Sequence, residues 1–188
     1  MSIVIALRRR ERLTLSDATS TVAHLNPRLW IIQYTSLVRP HLEYAVAAWD
    51  PHTKRDIAEL EKVQRRAARF AKSDYRRTTS VTELLSDLRW EPLSLRRKNT
   101  RLAMLFKATH GLSAVPLDGL CRPVRNTRSS KSTTFVRLPS RTDSYKNSFF
   151  PRTVADWNSL SDFARSRSSV DAFRDALSSD LAQPPGCC

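Results

Sequence analysis

The chain has 188 residues, 40% of them hydrophobic and 27% charged, and its 32 Lys and Arg against 18 Asp and Glu give a formal charge of +14. That length allows one domain or two small ones with a sizeable core, and the composition argues against global disorder. Only three glycines are present, no apolar run approaches the roughly 20 residues that span a bilayer, and two of the three cysteines are the last residues. These features disfavour turn-rich all-β folds, Gly-rich phosphate loops, membrane spans and disulfide frameworks, and describe a reduced, intracellular protein.

The first half reads as helices separated by proline. Leu25, Leu29, Ile32 and Ser36 mark one apolar-leaning face, with Pro27 near the first turn. Pro40 disfavours helix at Arg39, so a second short helix is expected from Pro40 to about Trp49, ended by Pro51. Thr53-Lys54-Arg55-Asp56 has the form of a capping box and opens a long helix. Ile57, Leu60, Val63, Ala67 and Phe70 or Ala71 share one face of it. Ser80-Val81-Thr82-Glu83 is a second capping box, leading into Leu84, Leu85 and Leu88. Pro92 suits the first turn of a further helix with Leu95, Leu102, Leu105, Phe106 and Thr109 on one side, and Gly111 is its expected stop.

Composition changes after Gly111. Six of the ten prolines lie beyond it, and Cys121 to Arg152 holds eight Lys/Arg against the single acid Asp143. Thr133 to Leu138 has the pattern of one short strand, and the rest reads as an extended basic segment. A helix is expected to restart at Thr153 around Trp157 and Leu160, and Ser168-Ser169-Val170-Asp171 caps a last one carrying Val170, Phe173 and Leu177. The expected architecture is mainly α. An unmatched segment 1–26 leads into a helical domain 27–111. A basic irregular segment 112–150, a C-terminal helical segment 151–183 and a frayed tail 184–188 follow.

Charge clustering is the functional signal. Between Lys54 and Arg77 lie nine Lys/Arg and four acids. Lys62, Arg65 or Arg66, Arg69, Lys72 and Arg76 step by three or four residues, forming a stripe beside the apolar face. Such a stripe can follow a phosphate backbone and gives affinity without sequence choice. Tyr75 at its end could stack on a base. The alternative is a solvated face, offset by Glu59 and Glu61. A second basic region carries Arg137, Arg141, Lys146 and Arg152 among Phe135, Tyr145, Phe149 and Phe150, a mixture that suits single-stranded or structured RNA. Trp30, Trp49, Trp90 and Trp157 read as core anchors. Catalytic constellations are missing: there is no Asp-Asp pair, no paired Cys/His spacing for zinc and no nucleophile elbow, so no catalytic or metal-ligating residue is assigned. His41 and His52 read as structural or solvated.

Several blocks carry a resemblance. Tyr34-Thr35-Ser36-Leu37-Val38-Arg39-Pro40-His41-Leu42-Glu43-Tyr44-Ala45 is followed by Trp49-Asp50-Pro51-His52-Thr53, then by Leu60-Glu61-Lys62-Val63-Gln64-Arg65-Arg66-Ala67-Ala68-Arg69-Phe70 and Leu88-Arg89-Trp90-Glu91-Pro92-Leu93. Arg141-Thr142-Asp143-Ser144-Tyr145-Lys146-Asn147-Ser148-Phe149-Phe150-Pro151-Arg152-Thr153 and Asp156-Trp157-Asn158-Ser159-Leu160 complete the series. In order and content these blocks resemble the region downstream of the palm in non-LTR, LINE-type retrotransposon reverse transcriptases, of the jockey-like or chicken-repeat-like kind, over about residues 28–180. The resemblance implies a thumb-like helical domain plus C-terminal extension of an RNA-directed DNA polymerase. The palm's catalytic aspartate pair and the upstream endonuclease have no counterpart here, so the chain is expected to be a C-terminal piece without polymerase activity of its own.

The resemblance implies RNA or an RNA–DNA hybrid as partner, with the missing palm or another element-encoded protein as a further one. It implies no membrane and no cofactor for this chain, Mg2+ belonging to the palm. It places the protein in the nucleus and cytoplasm. A helical protein-interaction module and a non-functional relic of a 5′-truncated element remain open beside this reading.

Overall fold

A computed structural model describes residues 27–76, 78–113, 134–137 and 139–182. The chain is mainly helical and divides into two compact units, Met1–Arg97 and Lys98–Cys188. The expectations for segment 1–26, most of 112–133 and the tail 184–188 fall outside the described residues.

In the first unit, α1 (Pro27–Gln33) runs through a π-helical turn, Tyr34–Val38, into α2 (Arg39–Glu43). The expected break at Arg39-Pro40 does not occur, because Arg39 is helical. Pro40 lacks an N–H and its ring would crowd a regular preceding turn. The wider turn before it relieves this: the Arg39 N–H reaches back five residues to the Tyr34 carbonyl. The Thr35 and Ser36 hydroxyls donate to the Ile31 and Ile32 carbonyls at 2.7 and 2.6 Å. The same turn changes which face is inward. Leu29 and Ile32, read as part of an apolar-leaning face, are 40% and 58% exposed, while Tyr34, Val38 and Leu42 are buried. An extra residue per turn aligns positions four apart, which a regular helix would let drift.

The short helix expected after Pro40 is split in two. Tyr44 is extended and Ala45 left-handed before α3 (Val46–Trp49). Then come α4 (Lys54–Lys72) and α5 (Val81–Asp87). Thr53 caps α4 as expected, its hydroxyl oxygen accepting from the Asp56 N–H at 3.2 Å. Ser80 stands at the start of α5, but its side chain makes no capping bond. The core of this unit gathers Tyr34, Leu42, Leu60, Ala68, Trp90 and Leu93.

The helix α6 (Leu93–Thr109) spans the division between the units, which falls between Arg97 and Lys98 rather than after Gly111. Its later turns carry Leu102, Leu105 and Phe106 into the second core, with Trp157, Leu160, Phe173 and Leu177. Gly111 ends the helix as expected, at φ +68°, with Leu112 N–H on the Lys107 carbonyl at 2.8 Å and Gly111 N–H on that of Ala108 at 3.2 Å.

The segment expected to be irregular contains α7 (Asp143–Lys146), capped by Thr142. Next, α8 (Phe149–Asn158) starts four residues before the expected Thr153. Pro151 does not delay it, because a first-turn residue needs no N–H partner. Two further helices close the unit, α9 (Asp162–Arg165) and α10 (Val170–Ala182), the latter capped from within the expected stretch Ser168 to Asp171, by Ser169. No strand forms around Phe135 among the described residues. Instead the Asn158 amide clasps the Phe135 backbone, accepting from its N–H at 3.0 Å and donating to its carbonyl at 2.8 Å.

Candidate nucleic-acid interface

The candidate site is the outer face of α4. Leu60, Gln64, Ala67, Ala68 and Ala71 are its buried positions. Lys62, Arg65, Arg66 and Lys72 are exposed and Arg69 is half-exposed. At about 100° per residue these five cations fall within an arc of roughly 120°, opposite the buried positions, and they run for about 15 Å along the axis. The stripe therefore lies across the helix from its core face, not beside it. Arg55, which the sequence reading passed over, is exposed on the same arc, two turns before Lys62. Its spacing of seven from Lys62 was the available signal.

Arg76 is not a further step of this stripe. The helix ends at Lys72, Ser73 turns left-handed, and Arg76 lies in the connection to α5. There the Asp74 carboxylate accepts from Arg76 Nη2 at 2.9 Å, Arg76 Nε at 3.2 Å, the Arg76 N–H at 3.0 Å and the Thr79 hydroxyl at 2.9 Å. These bonds, those from the Arg76 side chain first, hold the Asp74 carboxyl well below the usual carboxylate range. Arg69 Nη1 donates to the Arg76 carbonyl at 2.9 Å, tying the connection back to the stripe. Tyr75 is 61% exposed and sets its ring edge-on against Phe70.

Neutralisation of the stripe is partial. Lys62 meets Glu59 at 2.7 Å and Lys72 meets Asp87 at 3.4 Å. Such exposed pairs contribute about 0.2–1 kcal/mol and exchange readily with other anions. Arg65 and Arg66 make no ion pair among the described residues.

Polar contacts tie elements together within each unit, and two of these side chains belong to α4. Buried Gln64 accepts from the Tyr34 hydroxyl at 3.2 Å and donates to the Glu91 carbonyl at 2.8 Å. Glu61 accepts from the Ser94 N–H at 2.8 Å, at the start of α6. Glu43 pairs with Arg96, whose pKa rises through that hydrogen bond. Asp50 pairs with the fully buried Arg97 at 2.9 Å. In the second unit, buried Arg101 meets Asp156 at 3.1 Å and Thr153 at 3.4 Å.

The second basic region does not form one helix face. Arg137 is exposed on the stretch clasped by Asn158, Arg141 precedes α7, Lys146 ends α7, and Arg152 lies half-exposed in α8. Phe149 and Phe150 are half-buried and pack edge-to-face at 5.1 Å. Trp90 and Trp157 are core residues, Trp49 packs at the core's edge, and Trp30 stacks on Phe70 at 5.6 Å. Among the described residues no group of three or more His, Cys, Asp or Glu is placed to hold a metal ion, and no helix is long and apolar enough to cross a membrane. No family model matches the chain, and no curated protein or solved structure matches it.

Proposed function

We propose that the chain is the thumb-like and downstream region of a non-LTR retrotransposon reverse transcriptase, and that α4 grips the phosphate backbone of RNA or an RNA–DNA hybrid. One observation carries the reading. Lys62, Arg65, Arg66, Arg69 and Lys72 occupy the side of α4 that the fold does not use for packing. Their charge therefore answers no demand of the core, whereas a rigid row of cations matches a row of phosphates. Buried Gln64 supports the reading further, because it fixes α4 from its packed side and takes no part in the row of cations. The polypeptide carries no catalytic role in this proposal. It binds, and a palm supplied elsewhere would do the chemistry.

The test is the double charge reversal Arg65→Glu with Arg69→Glu, read by binding to a labelled RNA–DNA hybrid with single-stranded RNA alongside. Loss of binding by a folded variant is expected. Unchanged binding would sink the proposal.

A second reading is favoured by a different surface. Leu29, Ile32, Leu37 and Tyr44, along α1, the π-helical turn and the end of α2, are 40%, 58%, 63% and 75% exposed. Exposed large apolar side chains in such number are a feature of protein-docking surfaces. If that face carries the function, partner binding is nearly indifferent to salt.

A further inference from the structure

The connection between α4 and α5 has a sequence feature that the basic stripe does not explain. Arg76-Arg77-Thr78-Thr79 is the single place in the chain where two consecutive arginines stand three and two residues before a Ser or Thr. Paired arginines at that distance fit the acidic substrate groove of a basophilic Ser/Thr kinase, which binds its substrate as an extended segment. The surroundings suit such a groove. Tyr75, Arg76, Thr78 and Ser80 are exposed, Thr79 between them is half-buried, and neither the stretch Asp74–Arg76 nor Thr78–Ser80 is part of a helix.

The target hydroxyl also has something to lose. Thr79 Oγ1 donates to Asp74 Oδ2 at 2.9 Å, and the same carboxylate receives three bonds from Arg76. The connection is thus organised around one carboxylate, with Thr79 as a donor it needs. We infer that Thr79 is a phosphorylation site for a basophilic kinase, and that its phosphate weakens nucleic-acid binding by α4.

In the reaction, Thr79 Oγ1 forms a bond to the γ-phosphorus of ATP, the bond from that phosphorus to the bridging oxygen breaks, ADP leaves, and the hydroxyl proton passes to the kinase's base. No redox change is involved. The product carries a charge of about −1.5 to −2 at neutral pH. It can no longer donate to Asp74 and repels it. Arg76 then has two anions to choose between, and the phosphate, with three acceptor oxygens, is the stronger. Arg69, bonded to the Arg76 carbonyl, sits beside this exchange and belongs to the stripe. Loss of the one stripe contact beside it, that of Arg69, at near-physiological salt lowers affinity roughly 4- to 5-fold.

The effect on binding rests on the proposed role of α4, whereas the modification does not, and the experiment separates them. The full chain is incubated with ATP and the catalytic subunit of a cyclic-nucleotide-dependent kinase, and the phosphate is mapped by mass spectrometry. Phosphate on Thr79, absent from Thr79→Val and retained in Thr78→Val and Thr79→Ser, is the expected pattern. Incorporation on Thr78 or elsewhere, or none into the folded chain, overturns the site. The phosphorylated and unmodified chains are then titrated with the labelled hybrid. Equal affinities overturn the regulatory half alone. Failure of the unmodified chain to bind overturns the reading of α4 together with that half, while the mapped phosphate still decides the site.

Discussion

At the scale of single residues, two features set the stability of this fold. The first is backbone handedness. Ser73, Arg89 and Gly111 all have positive φ, and each closes a helix with the same pair of reverse hydrogen bonds. Glycine takes this conformation without a Cβ penalty, yet only one of the three is glycine. Ser73→Gly and Arg89→Gly are each expected to stabilise the chain by about 0.5–1 kcal/mol in urea unfolding, the removed strain outweighing the added freedom of the unfolded state. The second feature is buried charge. Arg97 is 0% exposed, and Nη1 and Nη2 have no partner among the described residues, so Asp50 at Nε supplies its counter-charge. Asp50→Ala strands that cation and is expected to cost about 3–5 kcal/mol. A loss below 1 kcal/mol, measured against Asp87→Ala as an exposed control, would show that Arg97 is compensated otherwise.

At the scale of elements, local chemistry was legible where one residue decides. Thr53 and the quartet Ser168-Ser169-Val170-Asp171 were read as helix starts and Gly111 as a stop, and Thr53, Ser169 and Gly111 each act as the side chain or its lack requires. Similar letters gave different outcomes at Ser80, whose hydroxyl makes no capping bond. Thr53→Ala is therefore expected to cost about 1 kcal/mol, while Ser80→Ala should be nearly neutral. Thermal unfolding of the pair checks the contrast. The inward face of α1 was not legible, because it depends on a π-helical turn that Pro40 favours and that no periodicity of 3.6 can anticipate. The link from α4 to α5 was equally hidden, being built around one carboxylate. Asp74 has a folded pKa below its unfolded value of about 3.9. Its contribution is then complete above that value and fades as pH falls through the folded one. The amide signals of Arg76 and Thr79 should stay unchanged from pH 7 to about 4.5 and move only in stronger acid, and Asp74→Asn should produce the displaced positions at neutral pH.

At the scale of the whole molecule, the helical class followed from apolar spacing and proline punctuation. The place of division did not, because it falls inside a continuous helix whose two ends serve different cores. The cations of the candidate site were legible by spacing. Their position opposite the core was not, since that follows from buried Gln64 and the small residues Ala67, Ala68 and Ala71, which a hydrophobicity pattern underweights. This geometry fixes the quantity that separates the two proposed readings. If all five stripe cations neutralise phosphates, the logarithm of affinity should fall against the logarithm of salt with a slope of roughly −3.5 on single strands and −4.5 on a duplex. Arg65→Glu with Arg69→Glu should remove at least two contacts and reduce the slope by about 1.4–1.8. A slope near zero for a tight complex would assign the binding to the exposed apolar residues Leu29, Ile32, Leu37 and Tyr44 instead. A steep slope left unchanged by the two reversals would keep phosphate binding but move it off α4, to the dispersed cations of the second unit.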